Sequence, residues 1–349
     1  MIIIDKLIRK NIRELQPYYS ARIEYSGKNA TFLDANENSL GSVLEGGYNR
    51  YPDPLQTELR LEIANLKNIN ANSLFLGNGS DEAIDLLMRA FCEPARDEII
   101  ICPPTYGVYS VFGKINDIAT VEVPLTSRFR LDVDQILNRI NSRSKLIFLC
   151  SPNNPTANIL DAEDIQTILN TFPGLVIIDE AYIDFSSTES WLGVLNKYKN
   201  LVVLQTFSKA WGLANLRLGM AFAEPEIIAI LDKIKYPYNL SGITQELALE
   251  ALKNKDAKEK MITEIIQQRI FLQNELEKLP LIKKVYPSEA NFLLVKTDDA
   301  TFIYNELMNK KIIVRNRSNQ THCDNCLRIT VGTAEENKNL INALKTLDE

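Results

Sequence analysis

The chain has 349 residues, 45% of them hydrophobic and 24% charged, which fits a soluble globular protein of about two domains at roughly 150 residues each. Its 39 Lys and Arg against 45 Asp and Glu leave a net charge of −6, without the positive excess of a nucleic-acid binder, a local patch aside. The single histidine, His322, excludes a zinc site with several His ligands and a histidine relay anywhere else, so proton transfers must run through Lys, Tyr, Asp or Glu, or through a cofactor.

Along the chain, Met1–Ile4 is too short an apolar run for a signal peptide, and no run approaches the roughly 20 apolar residues of a membrane span. A cytoplasmic protein is expected. Residues 1–32 match neither later texture and read as an N-terminal arm, expected to pack with the small domain or a dimer partner. A large domain is expected over 33–238, and within it, from about 74 to 235, short apolar runs alternate with helical patterns. Strands are predicted at Leu74–Leu76, Ile99–Cys102, Ala119–Val123, Leu146–Cys150, Leu175–Ile178, Leu201–Leu204 and Leu218–Phe222. Several are apolar on both faces, as in a buried, mostly parallel sheet. Helices are predicted at Asp81–Phe91, where Ile84, Leu87, Met88 and Phe91 fall at i, i+3, i+4 and i+7, and at Val133–Ile140, Ala162–Leu169 and Pro225–Ile234. This alternation predicts an α/β layered domain.

From 239 to 349 the pattern changes to a smaller α+β domain. Helices are predicted at Gln245–Leu252, Lys258–Leu279 and Glu335–Leu347, and strands at Phe292–Val295, Ile312–Val314 and Leu327–Val331. The five cysteines, Cys92, Cys102, Cys150, Cys323 and Cys326, read as reduced thiols. Cys323 and Cys326 have C-x-x-C spacing but no second pair, and are read as a loop that carries thiols; no metal site is expected.

Four segments could carry chemistry, each beyond a predicted strand. Gly77-Asn78-Gly79-Ser80-Asp81 opens a helix whose free amides suit a phosphate, or it is simply a well-capped turn. It is neither a Walker loop nor a dinucleotide fingerprint. Ser151–Thr156 sets two adjacent amides, Asn153 and Asn154, at a strand's carboxyl end, where they orient a polar ligand or build a turn. Asp179-Glu180-Ala181-Tyr182 puts two acids at a strand end, for a metal, a protonated ring nitrogen or a helix cap. In Thr206–Ala210, Lys209 is a Schiff-base candidate if its surroundings are partly apolar, and Arg217 follows eight residues on.

In this order, together with Pro17-Tyr18, Leu33–Asn38, Arg50-Tyr51-Pro52, Cys102–Gly107, Leu216–Gly219 and Leu327–Thr333, the segments resemble the fold-type-I pyridoxal-phosphate aminotransferases. More narrowly, the chain resembles the histidinol-phosphate aminotransferase family over essentially its whole length. The resemblance implies a large domain with a mostly parallel sheet flanked by helices, a smaller α+β C-terminal domain, and pyridoxal 5′-phosphate as cofactor. Lys209 would hold the cofactor as a Schiff base and shuttle the proton, Asp179 would keep the pyridinium protonated, and Tyr182 and Asn154 would bond the phenolic oxygen. Tyr106 would stack on the ring. The amides of Gly79, Ser80 and Asp81, the Ser208 hydroxyl and Arg217 would hold the phosphate. Tyr51 would reach the phosphate in a neighbouring subunit, implying a homodimer with shared active sites. Arg328 would take the α-carboxylate of glutamate, and Arg315, Arg328, Tyr18 and Asn154 would meet the small-molecule substrates.

Ala157, Ser39 and Asn215 stand where the family more commonly has glycine, proline and glycine, departures that touch backbone geometry rather than a reacting group. The expected reaction is amino transfer between L-histidinol phosphate and 2-oxoglutarate, in histidine biosynthesis. The rivals are an aromatic amino-acid aminotransferase, a decarboxylase of a phosphorylated amino acid and a non-catalytic PLP-binding regulator.

Overall fold

Ile99, Ile101, Ile177 and Leu204 are buried in one hydrophobic cluster, while Ile100, Ile147, Ile178 and Val203 are buried in another. Side chains alternate across a strand, so these clusters are the two faces of one covered sheet. The computed structural model describes residues 4–18 and 30–347. In chain order the elements are α1 (Ile4–Leu7), α2 (Lys10–Glu14), α3 (Thr57–Lys67), β1 (Leu74–Asn78), α4 (Gly79–Phe91), β2 (Glu98–Ile101), α5 (Val108–Ile115), β3 (Ala119–Glu122), α6 (Val133–Arg139) and β4 (Ser144–Cys150). They continue with α7 (Ala162–Thr171), β5 (Leu175–Asp179), β6 (Leu201–Thr206), β7 (Leu218–Phe222), α8 (Pro225–Ile234), α9 (Gly242–Leu252) and α10 (Lys255–Leu276). Last come β8 (Ile282–Val285), β9 (Phe292–Thr297), α11 (Ala300–Asn309), β10 (Arg315–Asn316), β11 (Cys326–Thr330) and α12 (Ala334–Lys345).

The large sheet has the order β1-β7-β6-β5-β4-β2-β3. β7 runs antiparallel to both neighbours and every other pair is parallel. β1 therefore points the same way as β6, and the carboxyl ends of β1, β2, β4, β5 and β6 share one edge with the start of β7. Helices α4, α5 and α8 cover one face through Leu87, Tyr109 and Ile227; α3, α6 and α7 cover the other through Ile63, Ile136 and Ile165.

The second sheet, β10-β11-β9-β8, is antiparallel and packs with α10, α11 and α12 around a separate core. That core begins at Leu272 on α10. Past residue 238, α9 lies along α3 and contributes Ala248 to the core beneath the large sheet, so the second core starts well after the boundary expected from composition. Residues 4–14 pack on the large domain rather than the small one: Ile4 is buried among α4 and α8 side chains, the Arg9 amide donates to the Ala90 carbonyl at 3.0 Å, and the Arg9 guanidinium donates to Arg89 at 2.9 Å. The rest of the predicted arm includes residues 19–29, outside the described residues.

All seven strands expected in the large domain are present. The strand expected at Ile312–Val314 lies at Arg315–Asn316 instead, because the β11 partners begin opposite Arg315. The long helix runs three residues earlier than expected, with Leu279 buried in the turn that follows. Helices α1, α2, α3, α5 and α11 and strand β8 have no counterpart in the sequence reading. In α3, Leu61 and Leu66 are exposed beside buried Leu59 and Ile63, which blurs the apolar stripe.

Candidate active site

Neighbouring registers align the strand ends across the edge. Asn78 pairs with Leu218, Thr206 with Gly219, Asp179 with Leu204 and Cys150 with Asp179. The turns leaving these positions surround a cavity of about 510 Å³ lined by Gly79, Ser80, Asp81, Tyr106, Asn154, Asp179, Tyr182, Ser208, Lys209, Arg217, Arg315 and Arg328 among others. That volume lies within the usual range of small-molecule sites. Twelve of the fourteen residues singled out from the sequence thus come together here; Tyr18 and Tyr51 do not.

Asp179 ends β5 at 3% exposure. Burial raises its pKa, and the Tyr109 hydroxyl, donating to Oδ2 at 2.7 Å, and the Ala181 amide, donating to Oδ1 at 3.1 Å, oppose that rise. Tyr109 was missed by sequence reading. It sits on α5, fully buried and stacked on Phe148, and only its place beside a strand-end acid reveals its use. Glu180 points away from the cavity, as the next residue along a strand direction must. Its buried carboxylate accepts from Ser190 Oγ, the Trp191 amide and Gln205 Nε2, tying the 190–191 turn to β6.

Lys209 opens to the cavity, with Nζ 5.6 Å from the Tyr182 ring centre. Its pKa is lowered, first by burial and then by the charges of Arg328 and Arg217, so its neutral amine forms at lower pH than that of an ordinary lysine. Burial also raises the Tyr182 pKa, leaving the phenol a proton donor. Asn154 Oδ1 accepts from Arg328 Nη1 at 2.6 Å, an arrangement that leaves the amide N–H groups free to donate. Asn153, its neighbour, faces the other way: it bonds Pro104, Thr105 and Thr156 and shapes the turn. Arg328 also lies over the Phe292 ring at 5.3 Å.

At the other end, α4 opens directly from β1 with Gly79 at φ +74°. The Gly79 amide is not free for a phosphate as expected; it donates to the Arg217 carbonyl at 2.5 Å, because β7 begins alongside. The amides of Ser80 and Asp81 remain. A Cβ on Gly219 would lie 2.0 Å from the Ser80 nitrogen, so only glycine lets β7 pass beneath this helix end. Arg217 reaches Asp81 at 3.4 Å, Tyr106 donates to the other Asp81 oxygen at 3.3 Å, and Thr206 Oγ1 lies 3.0 Å from Ser208 Oγ. Ala157 adopts φ +62°, a conformation costing a non-glycine residue roughly 1–2 kcal/mol.

Tyr18 is 75% exposed and Tyr51 51% exposed; Tyr51 stacks on Tyr238 with ring centres 4.4 Å apart, outside this chain's own cavity. Cys323 and Cys326 are fully buried in the core, so the loop between Arg317 and Cys326 is anchored by its thiols rather than displaying them. No helix among the described residues is long and apolar enough to cross a membrane.

Residues 24–344 match the family described as aminotransferase class I and II. The chain belongs to that family. It is 52% identical over 343 residues to the histidinol-phosphate aminotransferase of Cytophaga hutchinsonii, covering 98% of this chain and 99% of the relative. Identity to the same-named protein of Parabacteroides distasonis is 51% over 344 residues, 99% of each chain. The fold is similar to that of histidinol-phosphate aminotransferase from Sinorhizobium meliloti, solved with pyridoxal-5′-phosphate, at a TM-score of 0.76 with 22% identity, covering 90% of both chains. The cofactor is pyridoxal 5′-phosphate. The donor set fits its parts. There is an amine for its carbonyl, a buried carboxylate for its ring nitrogen, and aromatic faces for its ring. A helix amino end, a hydroxyl and a guanidinium suit its phosphate.

Proposed function

We propose that this chain transfers the amino group between L-histidinol phosphate and 2-oxoglutarate, forming imidazole-acetol phosphate and L-glutamate in the biosynthesis of histidine. The carrying observation is the pairing of Arg315 with Arg328 across β10 and β11, at a cavity that also holds Lys209 and Asp179. An anion-gripping end beside an amine suits a substrate whose amino group sits next to the carbon that bears a phosphate. The names of relatives near 50% identity favour this substrate over an aromatic amino acid or a decarboxylase's.

When bound, the cofactor supplies a carbonyl for amine exchange and a ring that takes up the electron pair released at the substrate's Cα. Lys209 would hold the cofactor through Nζ and, once freed by the substrate's amine, would take the Cα proton on Nζ and pass it to the cofactor's C4′ rather than back to Cα. Its lowered pKa keeps a larger neutral fraction ready for that work than an ordinary lysine has. Asp179, whose charged form Tyr109 and Ala181 favour against burial, keeps a proton on the ring nitrogen. Tyr182 and the Asn154 amide donate to the phenolic oxygen, and Tyr106 covers one ring face. Ser80, Asp81, Ser208 and Arg217 hold the cofactor's phosphate. Arg328, fixed by Asn154, grips the α-carboxylate of glutamate, and Arg315 and Arg328 take the phosphate of histidinol phosphate, with Tyr18 from the arm.

We read the chain as a homodimer with shared sites; the half-exposed Tyr51, stacked on Tyr238 outside the chain's own cavity, supports that reading. The large domain is taken as 33–238 and the small domain as 239–349, with α9 of the latter stretch packing back on the large domain, and the reaction in the cytoplasm. Glutamate-dependent amination of imidazole-acetol phosphate, run beside phenylpyruvate, tests the substrate: a kcat/KM at least tenfold higher for the phosphate is expected, and parity or preference for phenylpyruvate would refute it. Mixing inactive Tyr51→Phe and Lys209→Ala chains tests the shared site, because only a dimer with exchanged tyrosines regains activity.

A further inference from the structure

The Arg317 amide donates to the Cys326 carbonyl at 2.8 Å, continuing the β10–β11 ladder one step past Asn316. Arg317 therefore follows Arg315 by two residues on an extended segment and shares its face. Both line the cavity with Arg328 and Gln320. Three guanidinium groups thus converge on one end of the site. Among the described residues none of the three has a carboxylate partner, and Arg328 bonds only the neutral Asn154 side chain. The Arg317 guanidinium makes no hydrogen bond to any described residue, and its Nε is buried without a partner. Burial and the charges of Arg328 and Arg315 all press its pKa down. A half-buried cation among like charges, with its donors unmet, is unfavourable until something anionic arrives.

Two guanidinium groups suffice for a monocarboxylate, held fork to fork. A phosphate monoester near neutral pH carries close to two charges and three terminal oxygens, and asks for more donors. We propose that Arg317 is a specificity-determining residue, the third guanidinium of the substrate's anion subsite, and that it favours a dianionic phosphate ester there over the singly charged α-carboxylate of glutamate. This rests on the transaminase reading above. The loop bearing Arg317 and Gln320 is pinned by the buried Cys323 and Cys326, which gives the C-x-x-C segment a positioning use: it holds a cationic side chain in place without thiol chemistry.

The test compares wild-type holoenzyme with Arg317→Gln and Arg317→Lys in separate half-reactions, with histidinol phosphate and with glutamate as donors. Inorganic phosphate binding to the holoenzyme, whose cofactor phosphate already fills the other end, is measured by calorimetry. In Arg317→Gln, KM for histidinol phosphate and Kd for phosphate should each rise by about 10- to 100-fold, the range for a charge-assisted contact. The glutamate half-reaction should change less than about threefold. Arg317→Lys should recover part of the phosphate affinity, because charge returns without the fork. Equal losses for both donors, or no change for either, would overturn the proposal. If Arg317→Gln does not fold, Arg317→Lys decides alone by the same donor ratio. Should the wild-type enzyme fail to use histidinol phosphate at all, the transaminase reading falls instead, and phosphate binding still judges Arg317.

Discussion

Tyr109→Phe removes one oxygen from the middle of the large domain and leaves the packing in place. The ring is fully buried, stacked on Phe148 at 4.9 Å and edge-on to Tyr106 at 5.6 Å, contacts that phenylalanine keeps. The loss is the 2.7 Å donor to Asp179. A hydrogen bond to a charged, buried group contributes about 1.5–3 kcal/mol. Burial already raises the Asp179 pKa, and Tyr109 is the foremost group opposing it, so the variant's carboxyl holds its proton more tightly still. It becomes a poorer counter-ion for a protonated ring nitrogen. Affinity for pyridoxal phosphate should fall by about 10- to 150-fold, more severely as pH is lowered. In the apo-enzyme, a folded-state pKa above the ordinary 3.8 means that stability declines as pH rises from 3.8 towards the raised value. The variant should extend that decline to higher pH. Fluorescence titration of apo-enzyme with the cofactor at several pH values, alongside thermal melts, reads both effects. A folded variant with unchanged cofactor affinity across pH would refute the positioning role.

Three further outcomes follow from the same geometry. Borohydride treatment of the holoenzyme should fix the cofactor on Lys209, as peptide mapping would show, and Lys209→Ala should take no label; a labelled variant removes that assignment. Gly219→Ala should destabilise the protein by about 1–3 kcal/mol or more, since its Cβ would lie 2.0 Å from the Ser80 nitrogen and the neighbours there are backbone. A melting temperature equal to wild type would show that β7 and α4 can part without cost. Arg328→Gln should raise the Lys209 pKa, because Arg328 is the largest charge lowering it. The pH midpoint for modification of the apo-enzyme amine should therefore move up, and a downward or absent shift contradicts the electrostatic account.

The large sheet was legible because its strands are short apolar runs punctuated by turns, and the ends of those runs are where Asp179, Asn154 and Lys209 sit. What sequence could not carry were contacts between distant elements. Tyr109 looks like an ordinary aromatic of an α5 that was itself unseen, and its partner lies 70 positions away. Gly79 reads as a free amide until β7, more than 130 residues later, brings the Arg217 carbonyl to it. Arg317 was passed over because Ile312–Val314, richer in apolar residues, drew the strand assignment, although the ladder begins at Arg315. Pairing across β10 and β11, and not hydrophobicity, decides which arginines face the cavity.

The cavity is walled by turns that leave β1, β2, β4, β5 and β6, by the start of β7 and by β11, so its parts span the chain from Gly79 to Arg328. No shorter stretch contains all of it. A nascent chain on the ribosome can complete the large sheet once β7 has emerged, yet it gains the substrate's anion grip only after β11, near the end of synthesis. The residues proposed for the cofactor are thereby synthesised well before those proposed for the substrate's anion.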